Sequence, residues 1–485
     1  MFSSPSSLKQ NLSLLTDFYE ITMANGFFKE GRANQIAYFD MFFRRIPDGG
    51  GYAIMAGVEQ LVDYLQMLSF DDDDIAFLRS KNLFDEQFLQ YLKDFEFACD
   101  VWAVPEGTPI FPHEPIVTVR GPIIQAQFIE TMVLLCINHQ SLIATKANRM
   151  VRAADGRPIM EFGSRRAQGF DGAVFGARAA YIGGCSGTAC ALTGRQFGIP
   201  TLGTMAHSWI QLFNDEYEAF CAYARQYPNS CTLLVDTYSV LKSGIPNAIR
   251  AFNDVLLPMG CRPKGIRIDS GDITYLSKKA RKMLDEAGFP DCKITASNSL
   301  DEYIIRDMIR QGACIDNFGV GERLITAASD PVFGGVYKLV AAEESGEVVP
   351  RIKISENVAK ITNPGFKKLW RLFDNESCKA IADVITLADE IIDDGAPYEI
   401  FDPEHSWKRK TVTNFTAVPL QVQLFKQGKL VRYLPPIDEI RQHCARHVES
   451  LWDEVLRFEN PHTYYVDLSE KLWQSKQELL SSYSK

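Results

Sequence analysis

Short apolar stretches of this chain end repeatedly in residues that can do chemistry. His207 follows one such stretch in "TLGTMAHS", and Arg267 and Asp269 close another in "GIRIDSGD". An imidazole can act as a nucleophile or as an acid and base, and a carboxylate can accept hydrogen bonds from a sugar diol or bind Mg²⁺. Other stretches end in Arg165, Arg166, Ser208, Asp236, Ser270, Asp272, Ser297, Asn298, Gly319, Gly321, Arg323 and Lys338.

These polar clusters recur at intervals that fit alternating strands and helices. From residue 158 onward, seven apolar runs, the last of them "GVYKLV", are separated by segments with helical periodicity such as "YLSKKARKMLDEAG". Strand–helix–strand repetition predicts a parallel sheet, and seven runs approach the eight strands of a closed barrel. Because active sites of such barrels lie at the carboxyl ends of the strands, we expect the polar residues to line one cleft.

Three helices are predicted ahead of this repeat. Residues 12–28 have apolar residues at helical spacing, with Thr16 or Asp17 as the cap, and the acid run 71–74 is typical of a helix N-terminus. A long helical pattern follows from about residue 125 to 154. Its apolar window, 128–145, contains Glu130 and three further polar residues, which favours a buried amphipathic helix over a membrane span.

His207 has three interpretations. It is a satisfied core histidine, a helix cap, or a nucleophile or acid–base group in the cleft. A metal-ligand role is disfavoured because no second histidine is near in sequence. No GxxxxGK[ST] pattern is present, so any nucleotide chemistry must use a different phosphate site.

Two segments could bind phosphate. "FGVGERL" offers the backbone N–H groups of Gly319 and Gly321 beside Arg323, although paired glycines also serve plain turns. "TASNSLDE" places Ser297 and Asn298 where a helix would start.

The arginines and Phe162 have alternative roles as well. Arg267 and Asp269 lie two residues apart, on one side of a strand, and either bind a ligand or form a structural salt bridge. In "EFGSRRAQG", Arg165 and Arg166 point in opposite directions if the segment is extended, so one can grip an anion while the other pairs structurally. Phe162 either stacks on an aromatic ring or packs in the core.

Composition limits the class of protein. The length of 485 residues indicates two or three domains. The formal net charge of −10 argues against a nucleic-acid or anionic-membrane surface. Its eleven cysteines include no CxxC pair, and the N-terminus lacks a signal-peptide pattern, so we expect free thiols in a cytoplasmic protein.

In order along the chain, "LLTDFYEITM", "FDMFFRRIPDGGGYAIMAG", "EFGSRRAQG", "GTMAHSW", "IRIDSGD", "SNSLDE", "FGVGERL" and "GGVYKLV" closely resemble the nicotinate phosphoribosyltransferase family. The resemblance implies the type II phosphoribosyltransferase fold, an irregular α/β barrel with an additional α/β domain from both chain ends and a C-terminal extension. The corresponding ranges are 1–155 for the N-terminal domain, 156–345 for the barrel, and 346–485 for a region that partly completes the N-terminal domain.

The resemblance also implies an activity. Members transfer ribosyl 5-phosphate from phosphoribosyl pyrophosphate to nicotinate, giving nicotinate mononucleotide and pyrophosphate in NAD salvage. They require Mg²⁺ and couple the transfer to ATP hydrolysis through a transient phosphohistidine, which places them in the ligase class. His207 matches that histidine, so it becomes a phosphoryl acceptor rather than a general base.

Further roles carry over by motif. Phe162 and a Tyr19 from the partner subunit correspond to a pyridine sandwich, which implies a homodimer with shared active sites. Arg165 corresponds to the carboxylate contact, and Ser186 stands where nicotinamide-using relatives carry an acid, which would repel a carboxylate. The remaining substrate residues implied are Arg267 and Asp269 at ribose and phosphate, Gly319 and Gly321 at the 5-phosphate, and Ser297, Asn298 and Arg323 beside them.

Three other functions remain open from sequence. A phosphoribosyltransferase for nicotinamide or quinolinate is the nearest. A nucleotide-binding regulator without catalysis is the second, although the intact His207, Asp269 and Arg165 speak against it. A barrel lyase with Lys338 as a Schiff-base residue is the third.

Overall fold

The structure, a computed structural model, describes residues 11–357 and 360–483 of the chain. Its backbone contacts fall into two compact units. The terminal unit comprises Met1–Thr145 and Val332–Lys485, and the middle unit comprises Lys146–Pro331. The middle unit therefore starts earlier and ends earlier than the barrel range of 156–345 expected from sequence.

Acidic residues stand at the N-termini of helices in the first part of the chain. Asp17 occupies the N-cap position of the first helix without a side-chain cap hydrogen bond, whereas Asp71 caps the third through a capping box with Asp74, so the acid run stands at a helix N-terminus as predicted. The elements up to residue 153 are α1 (Phe18–Lys29), β1 (Ile36–Phe42), β2 (Ala53–Ile54), α2 (Val58–Met67), α3 (Asp72–Ser80), α4 (Glu86–Lys93), β3 (Asp100–Ala103), β4 (Pro109–Ile110), β5 (Val117–Pro122), α5 (Ile123–Phe128) and α6 (Glu130–Ala153).

The middle unit alternates strands with helices, as the periodicity predicted. Its strands are short and mostly buried, as expected for a sheet covered on both faces. In chain order, the strands and helices of the middle unit are β6 (Ile159–Glu161), α7 (Gly169–Ile182), β7 (Gly187–Thr188), α8 (Ala191–Phe197), α9 (His207–Gln211), α10 (Glu216–Gln226), β8 (Thr232–Leu234), α11 (Ile245–Ala251), β9 (Gly265–Ile268), α12 (Ile273–Glu286), β10 (Lys293–Ser297), α13 (Glu302–Arg310), β11 (Asn317–Val320) and α14 (Glu322–Ile325), together with intervening 3₁₀ and π turns.

All pairings in the sheet of the middle unit are parallel. The strand order is β7-β6-β11-β10-β9-β8, which brings the ends of β6, β11, β10 and β9 side by side. The run "TLGTMAHS" contributes only an isolated bridge between Thr188 and Thr201 rather than a regular strand. Closure of these strands into a barrel remains a prediction.

The remainder of the chain belongs to the terminal unit and is rich in strands. In chain order the elements are β12 (Val336–Glu344), β13 (Glu347–Pro350), β14 (Lys367–Asp374), β15 (Ala380–Leu387), β16 (Tyr398–Phe401), β17 (Arg409–Val412), β18 (Phe415–Pro419), β19 (Val422–Lys426), β20 (Lys429–Leu430), α15 (Ile437–Glu449), β21 (Val466–Leu468) and α16 (Glu470–Tyr483).

The terminal unit is built on an antiparallel sheet drawn from both ends of the chain. Its seven strands run in the order β13-β12-β1-β5-β3-β19-β20. A second sheet has the order β18-β14-β15-β21, in which only β15 and β21 are parallel. The interpretation of "GVYKLV" as a seventh parallel run is wrong, because β12 pairs antiparallel with β1. Its apolar residues face this other core.

One long helical segment, Ile123–Ala153, is apolar and long enough to cross a membrane by length and composition alone. Two-thirds of its most apolar window, 67%, is buried inside the fold. That burial fits the predicted core helix.

Candidate active site

Arg267 organises the carboxyl ends of β9 and β10. Its guanidinium donates to the Ser297 hydroxyl at 2.9 Å, to Oγ1 of Thr204 at 3.0 Å and to Oδ1 of Asp269 at 3.0 Å. Ser297 also donates to Oδ1 of Asp269. Since Arg267 is only 13% exposed, these charge-assisted bonds hold Asp269 in one orientation. The structural salt bridge predicted for Arg267 and Asp269 is thus present, and their binding of a ligand stays a prediction.

His207 is the first residue of the short helix α9 and is partly exposed. Its Nδ1 lies 3.1 Å from the Thr237 hydroxyl, within hydrogen-bond distance. Its Nε2 lies 4.0 Å from Oδ1 of Asp236 and 3.9 Å from Oδ2 of Asp269. The imidazole therefore points toward the carboxylate of Asp269, although 62 residues separate the two in sequence.

Asp236 is a site residue that sequence reasoning listed at a strand end but gave no role. Its side chain is only 1% exposed, and its Oδ2 accepts hydrogen bonds from the Asp269 backbone N–H at 3.0 Å and the Ser270 hydroxyl at 2.6 Å. Its Oδ1 has no hydrogen-bond partner among the described residues. A buried carboxylate oxygen without a partner is costly, which marks this atom as available to a cation or a polar ligand. Thr237 and Thr204 were likewise missed, because single hydroxyls carry no sequence signal.

Phe162 lies across the end of β11. A Cβ built on Gly319 would approach two atoms of the Phe162 ring to 2.6 Å, so only glycine permits this contact. The guanidinium carbon of Arg267 is 5.9 Å from the ring centroid. The packing of an aromatic ring thus explains glycine at 319, while the phosphate contact stays a prediction, and Phe162 is adjacent to the Arg267 network.

Arg165 and Arg166 are not on an extended segment. They lie in a 3₁₀ turn, Ser164–Arg166, so the expectation that an extended backbone separates them is wrong. The turn forms because the Arg166 N–H bonds back to the Gly163 carbonyl at 2.7 Å. Arg166 lies 3.7 Å from Glu322, whereas Arg165 is exposed and has no ion pair in the described part of the chain. Arg165 is the one of the two that is free to bind an anion.

The two segments predicted to bind phosphate, "FGVGERL" and "TASNSLDE", are connected to each other by an ion pair. Arg323 pairs with Asp301, and Asp301 caps α13 through two backbone N–H groups. Asn298 precedes that cap with a positive φ of 98° and is exposed. The backbone carbonyl of Phe162 lies 3.1 Å from a Cβ built on Gly321. These residues cluster at the ends of β10 and β11, but Asp301 already occupies part of the Arg323 guanidinium.

Ser186 lies just before β7. Its backbone N–H and its hydroxyl both donate to the carbonyl of Ile159, at 2.7 and 3.0 Å. The side chain is half-buried and attached to the strand β6 that leads to Phe162.

Tyr19 and Lys338 belong to the terminal unit. Tyr19 is 46% exposed on α1, where Met23 is exposed one turn further along the same helical face. Leu15, which precedes the helix, is exposed as well. Partial burial and the nearby Glu130 raise the pKa of Tyr19 to about 12, so its hydroxyl stays protonated. Lys338 lies on β12, with its Nζ 3.5 Å from Glu130, and is not at the end of a parallel strand as the lyase interpretation required.

Glu20, next to Tyr19, yields a prediction about stability. Burial raises the pKa of its carboxyl from 4.5 to about 7, despite hydrogen bonds from Thr16 and Thr131. The folded chain therefore binds this proton more tightly than the unfolded chain, and the associated stability is complete below about pH 4.5 and is lost as pH rises toward 7. We expect Glu20→Gln to remove roughly 1 to 3 kcal/mol of that pH dependence, measured by urea unfolding between pH 5 and 8.

The control for this measurement is Glu30→Gln, because Glu30 is exposed and caps the end of the same helix. It should leave the difference between pH 5 and pH 8 unchanged. A Glu20→Gln protein whose stability follows pH as the native chain does would contradict the assignment.

No group of three or more histidine, cysteine, aspartate or glutamate side chains suited to a metal is present among residues 11–357 and 360–483. A structural zinc cluster is therefore absent from the described residues. A hard cation such as Mg²⁺ needs fewer protein ligands, because it keeps waters and binds substrate phosphates.

Comparison with known proteins places this chain in a family. Residues 14–138 match the model of the nicotinate phosphoribosyltransferase N-terminal domain, and residues 366–476 match the model of its C-terminal domain. A nicotinate phosphoribosyltransferase of Bacillus subtilis is 44% identical over 468 residues, covering 96% of this chain and 94% of that protein. The chain belongs to the nicotinate phosphoribosyltransferase family.

Other relatives extend the family match across kingdoms. The nicotinate phosphoribosyltransferase of Homo sapiens is 32% identical over 516 residues, with 95% of each chain covered. The crystal structure of human nicotinic acid phosphoribosyltransferase superposes with a TM-score of 0.85 at 30% identity, covering 96% of this chain and 99% of that one. A nicotinate-nucleotide pyrophosphorylase from Pyrococcus furiosus has a TM-score of 0.69 at 22% identity, which indicates a shared fold. This chain and these two solved structures therefore share a mixed α/β fold.

Proposed function

We propose that this family member transfers ribosyl 5-phosphate from phosphoribosyl pyrophosphate to nicotinate and couples the transfer to ATP hydrolysis through His207 in NAD salvage. The observation that carries the proposal is the convergence of His207, Asp269 and Arg267 at the ends of neighbouring elements of the middle unit. We further propose that the six parallel strands and the segment at Thr201 form the wall of an irregular barrel.

Nicotinate is the favoured acceptor because of its carboxylate. Arg165 presents an unpaired guanidinium three residues after Phe162, so a ring stacked on Phe162 would carry its carboxylate toward that charge. Ser186 adds no negative charge nearby. Quinolinate carries a second carboxylate, and we assign no further cationic side chain to bind it.

The transfer itself depends on positioning of the two substrates and on stabilisation of developing charge rather than on covalent catalysis. The bond from the sugar to pyrophosphate breaks, positive charge develops at the sugar carbon, and the pyridine nitrogen supplies the electron pair of the new bond. Asp269, held by Arg267 and Ser297, can accept hydrogen bonds from the ribose hydroxyls, and Arg323, Gly319 and Gly321 with Ser297 and Asn298 can bind the 5-phosphate. Pre-organisation by the Arg267 network keeps Asp269 from reorienting during the reaction.

His207 is suited to accept a phosphoryl group. With a proton on Nδ1 donated to Thr237, Nε2 carries the free electron pair. That nitrogen attacks the terminal phosphorus of ATP while the bond to ADP breaks, and water later hydrolyses the phosphohistidine to inorganic phosphate. The added charge of about −2, beside the carboxylates of Asp236 and Asp269, would rearrange the cleft and so link ATP to substrate affinity.

Mg²⁺ fits two carboxylates of this site. Asp236 offers the unpartnered Oδ1, and Asp269 offers Oδ2, and both oxygens face His207. When bound there, the ion would neutralise charge on pyrophosphate and on the ATP phosphates.

We also propose a homodimer in which Tyr19 completes the partner's site. Tyr19 and Met23 lie exposed on one face of α1, and the exposed Leu15 precedes the helix, so a second copy would cover a largely apolar patch. Tyr19 would then stack on the side of the pyridine opposite Phe162.

Steady-state assays with nicotinate, nicotinamide and quinolinate test the proposed activity. We expect nicotinate to give the highest kcat/KM. Faster turnover of nicotinamide or quinolinate would contradict the assignment of Arg165 and Ser186. Absence of product with all three, together with no labelling by γ-³²P-ATP, would favour the non-catalytic alternative.

Ser186→Asp tests the specificity argument. An added carboxylate near the acceptor would repel nicotinate but not nicotinamide, so we expect the KM for nicotinate to rise about 10-fold, the effect of about 1.4 kcal/mol. Ser186→Asn is the matched control, because it has similar size without the charge. Equal effects of both variants on nicotinate would show that size, not charge, matters at this position.

A further inference from the structure

Glu161 is a buried carboxylate that the proposed chemistry does not use. It is the last residue of β6 and stands directly before Phe162. Its exposure is 0%, and no cationic side chain pairs with it in the described ranges 11–357 and 360–483. Burying a carboxylate without a cation is expensive unless hydrogen bonds compensate. The hydrogen bonds that Glu161 accepts therefore indicate what it does.

Both carboxylate oxygens are occupied. Oε2 accepts a hydrogen bond of 2.6 Å from the Thr188 hydroxyl, and Oε1 accepts one from the Gly163 backbone N–H. The Thr188 oxygen in turn accepts the N–H of Cys190 at 2.9 Å. One side chain thus connects the turn after β6 with the end of β7.

The turn after β6 carries both proposed nicotinate contacts. Phe162 precedes Gly163, and Arg165 follows it by two residues in the 3₁₀ turn. A Cβ built on Gly163 would lie 2.8 Å from Oε1 of Glu161 and 2.5 Å from the Ile325 side chain, so the carboxylate packs directly against this backbone. The Phe162 N–H is itself fixed to the Val320 carbonyl at 2.7 Å. The hydrogen bond from the Gly163 N–H to Glu161 therefore fixes the course of the backbone between the Phe162 ring and the Arg165 guanidinium.

We propose that Glu161 is a positioning residue for nicotinate, which holds the Phe162 ring and the Arg165 guanidinium in the relative orientation that the pyridine ring and its carboxylate require. The inference rests on the proposed function. Glu161 does not touch the substrate and acts through the Gly163 N–H and Thr188. Because the proposed phosphate and ribose contacts lie on β9, β10 and β11 or in the segments that directly follow them, its loss should affect nicotinate more than phosphoribosyl pyrophosphate.

Three variants separate positioning from folding. Glu161→Ala removes both hydrogen bonds. Glu161→Gln keeps an oxygen for the Gly163 N–H, and the Thr188 hydroxyl can accept from its amide, so it should restore most of the native behaviour. Thr188→Val keeps the bond from the Gly163 N–H and removes the link to β7, together with the acceptor of the Cys190 N–H. Thr193→Val is the matched control, because Thr193 is also fully buried in the middle unit and its hydroxyl donates to the backbone carbonyl of Val174.

The experiment measures nicotinate binding by calorimetry and, separately, the KM for each substrate in the full chain. We expect Glu161→Ala to weaken nicotinate binding by about 10- to 100-fold, the cost of misplacing binding groups by about 1 Å, with less than a threefold change for phosphoribosyl pyrophosphate. Thr188→Val should show a smaller effect in the same direction, whereas Glu161→Gln and Thr193→Val should bind nicotinate as the native chain does.

Equal changes for both substrates, or native nicotinate binding in Glu161→Ala or Thr188→Val, would overturn the inference while leaving the proposed function intact. Should Glu161→Ala fail to fold, native nicotinate binding by Thr188→Val alone would overturn it. If the native chain itself binds no nicotinate, the proposed function fails and the inference falls with it.

Discussion

Replacement of His207 by alanine is expected to abolish ATP coupling while leaving slow transfer that does not depend on ATP. Nε2 of His207 is the nitrogen that faces the carboxylates of Asp236 and Asp269, 3.9 Å from the latter, and alanine offers no atom that can be phosphorylated. The binding residues Arg267, Ser297 and Asp269 remain connected to one another without it. Since ligand coupling is typically worth about 1 to 3 kcal/mol, transfer at low substrate should slow by about 5- to 150-fold.

The measurement combines γ-³²P-ATP labelling with product formation. The His207→Ala protein should take up no label and should release no phosphate that depends on nicotinate. His405→Ala is the control, because His405 is an exposed histidine of the terminal unit. Full ATP hydrolysis by His207→Ala, or loss of label in His405→Ala, would place the phosphoryl acceptor elsewhere.

Replacement of Arg165 by alanine is expected to raise the KM for nicotinate by roughly 10- to 1000-fold, because a charge-assisted bidentate contact to the carboxylate is lost. The turn Ser164–Arg166 presents this side chain to solvent with no ion pair in the described residues, so its removal leaves no internal partner uncompensated. The loss should therefore appear in substrate affinity and not in the free energy of unfolding.

Arg166→Ala is the matched control, since Arg166 is the neighbouring arginine and lies near Glu322 instead. It should change the KM for nicotinate less than threefold. Arg165→Lys should fall between the native chain and Arg165→Ala, because lysine keeps the charge without the planar fork. An unchanged KM in Arg165→Ala would remove this residue from the carboxylate site.

Much of the middle unit follows from periodicity in the sequence. Apolar runs separated by helical segments predicted parallel strands, and the rule that their carboxyl ends meet predicted that His207, Arg267 and Asp269 lie together, although the run before His207 forms an isolated bridge rather than a regular strand. The prediction of a parallel strand was wrong for "GVYKLV", because an apolar run has the same residue pattern in a parallel and in an antiparallel strand. Only the pairing of β12 with β1 assigns it to the terminal unit.

The finer details of the site depend on contacts that no local pattern encodes. The turn at Arg165 is a 3₁₀ turn because its backbone bonds back to Gly163, and adjacent arginines alone do not reveal that. The role of Gly319 in admitting the Phe162 ring requires the pairing of β6 with β11, whose sequences are far apart. Asp236 gained a role only once its unpartnered oxygen was seen beside His207.

The central claim is that one cleft in the middle unit handles nicotinate, a sugar phosphate and the ATP phosphoryl group. Product analysis of the purified chain with nicotinate, phosphoribosyl pyrophosphate and Mg²⁺, with and without ATP, tests it most directly. The account predicts nicotinate mononucleotide and pyrophosphate in equal amounts, formed faster when ATP is present, together with ADP and phosphate. Formation of no nicotinate mononucleotide under either condition, or identical rates with and without ATP, would contradict it.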